Sequence, residues 1–382
     1  MSILYAYILR FCVQVWVYVV YILISDVGFR VAGSDPIGNA RAPSCGIGRH
    51  QVRIFCIYMF RKKLKVFEGF AGYGGASFGL KRSGLNYEVV AMSEIDPFAS
   101  ALLSANFSNI PNLGDITILS EHPETIPDFD FFTGGFPCQP FSSAGLQKGE
   151  EDSYGRGTLF YHIFKILQAK HPQYVLLENV KGLTAAKFAP TFNRIKELFR
   201  ELGYGEMAYA VLNSKDYGIP QNRERLWMFA RLGGLPADFN MIPPKRELKQ
   251  FFGDFLYPDE VDPALRLSDE QIAHLKVKHN ISSFAVQEPL CLDIYNKKIK
   301  ENRLCITITQ PEHNSLRVIE PMKDGKERVR KMSVEEQFHF MGFEKGELNF
   351  AGQSYSQLSK RAGNGWDVNL VGILLNHIFS QL

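Results

Sequence analysis

Apolar residues fall in short runs that stop at glycine or at a polar turn. Leu64 to Phe70 is one such run, and it leads into Ala71-Gly72-Tyr73-Gly74-Gly75-Ala76-Ser77-Phe78-Gly79-Leu80, which predicts a strand, a glycine turn and a helix start. The next run, Val89-Val90-Ala91-Met92, ends at Glu94, and Asp96-Pro97 then predicts a helix with Asp as N-cap and Pro at its first position. Asp130-Phe131-Phe132-Thr133 reads as a strand that stops at Gly134-Gly135, where Phe136-Pro137-Cys138-Gln139-Pro140-Phe141-Ser142 makes a turn. Gly155 to Phe160 opens a helix. Tyr174-Val175-Leu176-Leu177 has the pattern of a buried strand, closed by Glu178-Asn179-Val180. Arg223 and Arg225 alternate with Glu224 ahead of an apolar strand, so a period of two puts both arginines on one face. Further on, Ser333 with Glu336 three residues later forms a capping box, and that helix is expected to end near Met341-Gly342-Phe343. A terminal helix carries Val371, Leu374, Leu375 and Ile378 on one face.

Two regions break this rhythm. Residues 233–305 hold Gly233-Gly234, Pro236, Pro243-Pro244, a charged stretch Lys245-Arg246-Glu247-Leu248-Lys249 and shorter apolar runs, which read as a small separate domain. Residues 3–24 are apolar enough for a membrane span, interrupted by Arg10 and Gln14. Three readings compete there: a membrane anchor, against which a central arginine weighs about 2.5–3.5 kcal/mol, a structured extension of the core, or a segment outside the native protein. The last is preferred, because Met59-Phe60-Arg61-Lys62-Lys63 reads as a fresh terminus into the first strand and residues 26–57 show no period. Activity is then expected to survive removal of residues 1–58.

With 382 residues, 46% of them apolar and 13% aromatic, the chain can bury a sizeable core in two or three domains. A net charge of +3 permits nucleic-acid binding without requiring it. The six cysteines, at 12, 45, 56, 138, 291 and 305, form no CxxC pair and no metal-ligand spacing, so a reducing compartment and no metal are expected.

Cys138 sits where a nucleophile could stand, although an isolated cysteine is more often a small buried hydrophobe. Glu178 at a strand end is either a solvated carboxylate or one whose pKa burial raises. The glycine loop departs from GxGxxG, having Ser77 at the third glycine position. Even so, Glu94 follows Gly72 by 22 residues, where a carboxylate can accept both ribose hydroxyls of a nucleoside. Asp96 is assigned to structure. Asp115, after Gly114, fits an ordinary Asx turn.

The segments Phe136-Pro137-Cys138-Gln139-Pro140-Phe141-Ser142, Leu176-Leu177-Glu178-Asn179-Val180 and Gln221-Asn222-Arg223-Glu224-Arg225 closely resemble the DNA cytosine-5 methyltransferase family. So do Phe70-Ala71-Gly72-Tyr73-Gly74-Gly75 and Asn364 to Val368, and the resemblance spans roughly 64 to 382. It implies an α/β, Rossmann-like S-adenosylmethionine-dependent methyltransferase fold, with a mixed, largely parallel sheet, helices on both faces and a small inserted target-recognition domain. The domains expected are 1–58 as an extension, 59–232 catalytic and cofactor-binding, 233–305 target-recognition, and 306–382 returning to complete the catalytic domain.

The implied reaction is methyl transfer from S-adenosylmethionine to C5 of a cytosine in double-stranded DNA, on a base extruded from the helix. Cytosine C5 is a poor nucleophile, so a thiolate, Cys138, adds at C6 and makes C5 an enamine carbon. Glu178 serves the opposite ring edge at N3. By resemblance, Arg225 holds the cytosine O2 and the active-site loop, Arg223 the loop closed over DNA, and Gln221 the hydrogen-bond network of the site. Phe70, Gly72, Gly74, Gly75, Glu94, Asp115, Ile116, Pro137, Leu159, Asn364 and Val368 are implied in cofactor binding, with Asp115 on the adenine amino group and Thr158 and Leu159 near the methionine part. Glu68-Gly69 replaces the family's usual Asp-Leu, which puts the contact near 68 in doubt. Ser142 to Tyr154 suits a loop closing on the flipped base. Expected partners are double-stranded DNA and a cognate restriction endonuclease acting on the same site without a stable complex; a cytoplasmic monomer is expected. The rivals are a tRNA cytosine-5 methyltransferase on the same scaffold and a catalytically silent DNA-binding relative. A nicotinamide enzyme would leave Cys138 and Glu178 without a role.

Overall fold

The computed structural model describes residues 63–137 and 159–382. The alternatives for residues 3–24, the start at Met59, Cys138, the Ser142–Tyr154 loop and Thr158 all lie outside them. Among the described residues no helix is long and apolar enough to cross a membrane.

The first half follows the expected sequence of elements. It runs β1 (Leu64–Gly69), α1 (Gly75–Ser83), β2 (Tyr87–Ser93), α2 (Pro97–Asn106), α3 (Ile116–Glu121), β3 (Phe131–Gly135), α4 (Leu159–Lys170), β4 (Tyr174–Val180), α5 (Ala189–Glu201), β5 (Ala208–Asn213), β6 (Gln221–Asn222) and β7 (Glu224–Arg231). The main sheet has the order β2-β1-β3-β4-β7-β5, with β1 to β4 parallel and β7 antiparallel to both β4 and β5. From β1 the chain passes first to β2 on one side and later to β3 on the other. The strand order therefore reverses between β1 and β3, and a crevice for a ligand lies outside the carboxyl ends of such strands.

Both faces of this sheet are buried, which is why its strands read as continuous apolar runs rather than alternating ones. Val66, Phe131, Leu176 and Phe229 join one core with Phe78, Leu102 and Leu374. Their neighbours Phe67, Phe132, Val175, Leu177 and Met228 join the other with Ile116, Ile163 and Ile195. Asp96 caps α2, accepting from the amides of Phe98 and Ala99, with Pro97 at the first helical position as expected.

The second half holds α6 (Asp269–His279), β8 (Leu290–Asp293), β9 (Lys298–Lys300), β10 (Cys305–Ile306), β11 (Leu316–Lys323), β12 (Lys326–Arg330), α7 (Val334–His339), α8 (Tyr355–Asn364) and α9 (Val368–Phe379). A small antiparallel sheet has the order β12-β11-β8-β9. Ile272 and Phe284 pack on one of its faces, against Leu292, Ile319 and Val329. The other face, with Cys291, Leu316 and Val318, merges into the main core. Because Val318 pairs with Cys291, this sheet extends to Arg330, and the domain end expected at 305 falls inside it. The return begins with β10, where Cys305 and Ile306 pair with Gln221 and Asn222, but the chain then goes back to the small sheet before α7. The capping box of Ser333 and Glu336 opens α7.

The terminal helix α9 packs on α1, the first helix of the described residues. Glycine makes that approach close: a Cβ on Gly79 would stand 2.2 Å from Val371 Cγ1, and one on Gly372 would stand 2.7 Å from Arg82 Cβ. Overpacking this contact costs about 1–3 kcal/mol. Gly79→Ala is therefore expected to lower the urea midpoint with an unchanged m-value, and an unshifted midpoint would show that the two helices can part without loss.

Candidate active site

Strand register builds the centre of the site. Gly135, at the carboxyl end of β3, pairs with Glu178 on β4, and Glu178 pairs on its other side with Trp227 of β7. One strand end thus leads through Phe136 and Pro137 toward Cys138 and the next carries the carboxyl. Asn179 fixes the turn, donating from Nδ2 to the carbonyl of Phe136 at 2.9 Å. Pro137 is exposed, and Cys138 follows it by one peptide bond, outside the described residues.

The Glu178 carboxyl is 8% exposed. Its Oε1 lies 3.1 Å from Arg225 Nε, and its Oε2 accepts from Trp366 Nε1 at 3.1 Å. Burial raises its pKa, against the pull of the Arg225 and Arg223 charges and of the Trp366 bond. Gly135 is what leaves room, since a Cβ there would stand 2.7 Å from Trp366 Nε1 and 2.9 Å from Glu178 Oε2. Trp366 also meets Trp227 edge-on, with ring centroids 4.9 Å apart.

The two arginines share a neighbourhood, as their alternation predicts, but not a task. Arg225 reaches Glu178. Arg223 is 1% exposed, and its guanidinium donates to the carbonyls of Ile308 at 2.9 Å, Gly363 at 3.0 Å and Gly365 at 2.7 Å. A head enclosed by three carbonyls braces distant segments against one another. Gln221 is equally buried, donating to Phe340 O at 2.7 Å and accepting from Ile308 N at 3.0 Å, so its network also joins backbone segments.

A second group gathers at the ends of β1 and β2. Gly72 (φ 58) and Gly74 (φ 88) turn the chain through the left-handed region. Glu94 accepts from Gly72 N and from Asp96 N, each at 2.8 Å, one bond to each oxygen. Each oxygen keeps a lone pair, which suits a carboxylate facing two vicinal hydroxyls. Beside it Ile95 is 68% exposed, an apolar surface at the same mouth. Asp115 caps α3 through Oδ1 to Thr117 N at 2.8 Å, leaving its other oxygen, and Ile116 next to it is buried. Phe70 is half-buried with φ 52, and Leu159 is half-buried at the start of α4. At the far end of the chain Asn364 is exposed and Val368 buried. Gly75 lies against Trp366, where an added Cβ would come within 3.1 Å of the tryptophan Cβ. The glycine loop and the 364–368 segment thus meet.

Several residues in these contacts carried no local signal. Tyr73, fully buried, donates its hydroxyl to the Trp366 carbonyl. Asn112 accepts from Glu94 N at 3.0 Å and donates to Glu94 O at 3.1 Å, and so sets the β2 end. Arg361 pairs with Asp96. A cavity of about 420 Å³ lies elsewhere, lined by Arg266, His274, Arg317 and Lys331 among others, and it includes none of the residues at these strand ends.

The model of the C-5 cytosine-specific DNA methylase family matches residues 64–380, and the chain belongs to that family. It is 35% identical to the type II methyltransferase M.HaeII of Haemophilus aegyptius, over 84% of this chain and 94% of that one. With M.NgoBI of Neisseria gonorrhoeae it shares 34% identity over 80% of this chain and 90% of the relative. With M.HhaI of Haemophilus parahaemolyticus it shares 42%, over 51% of this chain and 58% of the relative. Among solved structures, the Dnmt2 methyltransferase of S. pombe superposes with a TM-score of 0.62 at 18% identity, over 84% of this chain and 99% of that one, and supports the fold.

Glu68 has a role of its own. It is 2% exposed, and its carboxyl accepts from Ala76 N at 2.9 Å, Ser77 N at 3.0 Å and the Ser77 hydroxyl, so it serves the start of α1 rather than a ligand. Burial pushes its pKa up to about 7, against those three hydrogen bonds. A raised folded-state pKa contributes stability that is present below the unfolded value, about 4.5, and lost as pH rises through about 7. From pH 5 to pH 8 this group should remove about 2–3 kcal/mol. Denaturant melts of the parent and of Glu68→Gln should therefore differ in their pH dependence by that amount, and parallel profiles would refute it.

Proposed function

We propose that this protein transfers a methyl group from S-adenosylmethionine to C5 of a cytosine within a specific double-stranded DNA sequence, with Cys138 as nucleophile. The observation that carries the reading is the buried Glu178 carboxyl, held by Arg225 and Trp366 beside the strand end that leads to Cys138. Burial raises the pKa of this carboxyl and so favours its protonated form, which would share its proton with the cytosine N3 as charge builds on the ring. Arg225, 3.1 Å from Glu178, would hold the adjacent O2. The Cys138 thiolate adds to C6, which places nucleophilic electron density at C5; after transfer, loss of the C5 proton and expulsion of the thiolate restore the ring.

Bound S-adenosylmethionine would supply an electrophilic methyl group. Its ribose fits Glu94, which retains a lone pair on each oxygen, and its adenine fits the free oxygen of Asp115 and the exposed Ile95. Phe70, Gly72, Gly74, Gly75, Ile116, Pro137, Leu159, Asn364 and Val368 complete the proposed pocket. Residues 233–305, with β11 and β12, act as the target-recognition unit. The working form is a cytoplasmic monomer, and a cognate restriction endonuclease would meet it only through the shared DNA site.

Transfer of labelled methyl groups to duplex DNA and to tRNA, assayed side by side, with bisulfite sequencing of the DNA, tests the reading. Methylation confined to cytosines of one duplex sequence is expected; labelling of tRNA alone would overturn it. Cys138→Ser should abolish transfer, and Glu178→Gln should lower kcat by about 10²–10⁴. A Cys138→Ser protein as active as the parent would exclude the covalent route.

A further inference from the structure

The two oxygens of the Glu178 carboxyl have different company. Oε1 lies 3.1 Å from Arg225 Nε, on a half-buried side chain, whereas Oε2 accepts from the Trp366 indole N–H at 3.1 Å in a buried contact. The indole has little freedom to turn away. Trp227 meets it edge-on with centroids 4.9 Å apart, and Gly135 and Gly75 approach so closely that a Cβ on either would stand 2.7 Å from its Nε1 and 3.1 Å from its Cβ respectively. Its backbone is held as well. The Trp366 carbonyl accepts from the buried Tyr73 hydroxyl, and the next residue, Asp367, caps α9 by accepting from Asn369 N and Leu370 N, each at 3.0 Å. The neighbouring indole, on Trp227, has no hydrogen-bond partner among the described residues, so the contact made by Trp366 does not follow from an aromatic merely lying near the carboxyl.

An indole N–H donates and cannot accept. A neutral carboxyl has one strong acceptor, its carbonyl-type oxygen, while the other oxygen carries the proton. A donor fixed on Oε2 therefore makes Oε2 the acceptor and leaves the proton to Oε1.

We propose that Trp366 is a positioning residue that decides which oxygen of Glu178 holds the proton: Oε1, on the Arg225 side, so that an entering cytosine meets an O–H for N3 and a guanidinium for O2 side by side. The proposal rests on the DNA-methylating reading above. Without the indole the acid could protonate at either oxygen, and a proton on Oε2 would point at the tryptophan instead of the base.

The same bond acts on acidity. Burial favours the neutral carboxyl; Arg225 on β7, Arg223 just before it and the indole N–H all favour the charged one, and the Tyr73 hydroxyl, from the turn before α1, is close enough to feel that charge. Loss of the indole N–H should therefore move the pKa of Glu178 further up.

Trp366→Phe keeps a ring against Trp227 and removes only the donor. The full-length parent, Trp366→Phe and Glu178→Gln proteins are compared by steady-state kinetics on duplex DNA across pH. Thiolate formation at Cys138 makes kcat rise with pH and loss of the Glu178 proton makes it fall, so the alkaline limb should vanish in Glu178→Gln, which identifies the group. Trp366→Phe should lower kcat at neutral pH by about five- to tenfold with both KM values within about twofold, and its alkaline limb should lie at higher pH than the parent's. A residue that served packing alone would reduce activity without moving that limb. A second measurement does not require the variant at 366 to fold: with the indole nitrogens of the parent labelled, one of the three tryptophan N–H resonances should shift across the pH range of the alkaline limb and cease to do so in Glu178→Gln. A limb that Trp366→Phe leaves where the parent has it, or indole resonances indifferent to it, would overturn the proposal while the parent's methylation of DNA stands. A limb that persists in Glu178→Gln would remove Glu178 from the chemistry, and the proposal with it.

Discussion

The hydrogen bond from the Trp366 indole to Glu178 is the constraint on which the site's shape depends. It spans 188 residues and brings a loop next to the last helix against the centre of the sheet. Everything around it is fitted to that contact. Gly135 lacks a side chain because the indole and the carboxyl fill the space, and Gly365 lacks one because a Cβ would lie 2.0 Å from the Tyr73 ring. Tyr73 in turn bonds the Trp366 carbonyl, so the glycine loop at 72–75 and the Glu178 carboxyl share one support. A shift of the terminal segment would move both at once.

Burial is what gives the ionisable groups there their character. Glu178 and Arg225 are both enclosed, and burial moves each toward its neutral form while their mutual attraction opposes this. A pair so balanced can release either partner to a substrate at small cost, because the substrate's polar edge replaces bonds that the pair would lose. Arg223 is the contrast. Its bonds go to three backbone carbonyls, and an uncompensated charge would remain if they were broken. That difference is invisible in the alternation of the two arginines: one is bonded to a buried carboxyl, the other to backbone carbonyls.

What could be read from the chain was local. The Asp96 cap, the Ser333–Glu336 capping box, the strand ends at Glu94 and Glu178 and the apolar face of α9 each depend on residues a few positions apart, and each stands where the pattern put it. The contacts that were missed join residues far apart in sequence: Trp366 with Glu178, Tyr73 with Trp366, Arg223 with Ile308 and Gly363, Asn112 with Glu94. No period or cap marks such pairs. The extent of the small sheet was missed for a related reason. A fall in apolar content marks where an insertion begins, but its end depends on strand pairing, and β11 joins β8 across β10, which belongs to the catalytic unit.

That interleaving explains why a buried ionic cluster stands at the base of the small sheet. Arg330, fully buried, donates to Glu320 at 2.6 Å and to both oxygens of Glu336 at 2.7 Å, and Arg266 pairs with the remaining oxygen of Glu320 at 2.9 Å. Glu336 is also the capping residue of α7, so one carboxyl fixes β12 and the start of that helix together. Apolar surfaces tolerate sliding, because their attraction depends on area rather than direction. A bidentate guanidinium–carboxylate pair allows one geometry. Desolvating four charges makes such a cluster a poor source of net stability. Its effect is on orientation: β11 pairs with β12 around Glu320 and with β8 at its first residues, so an angle fixed at the cluster is carried along the strand through the small sheet.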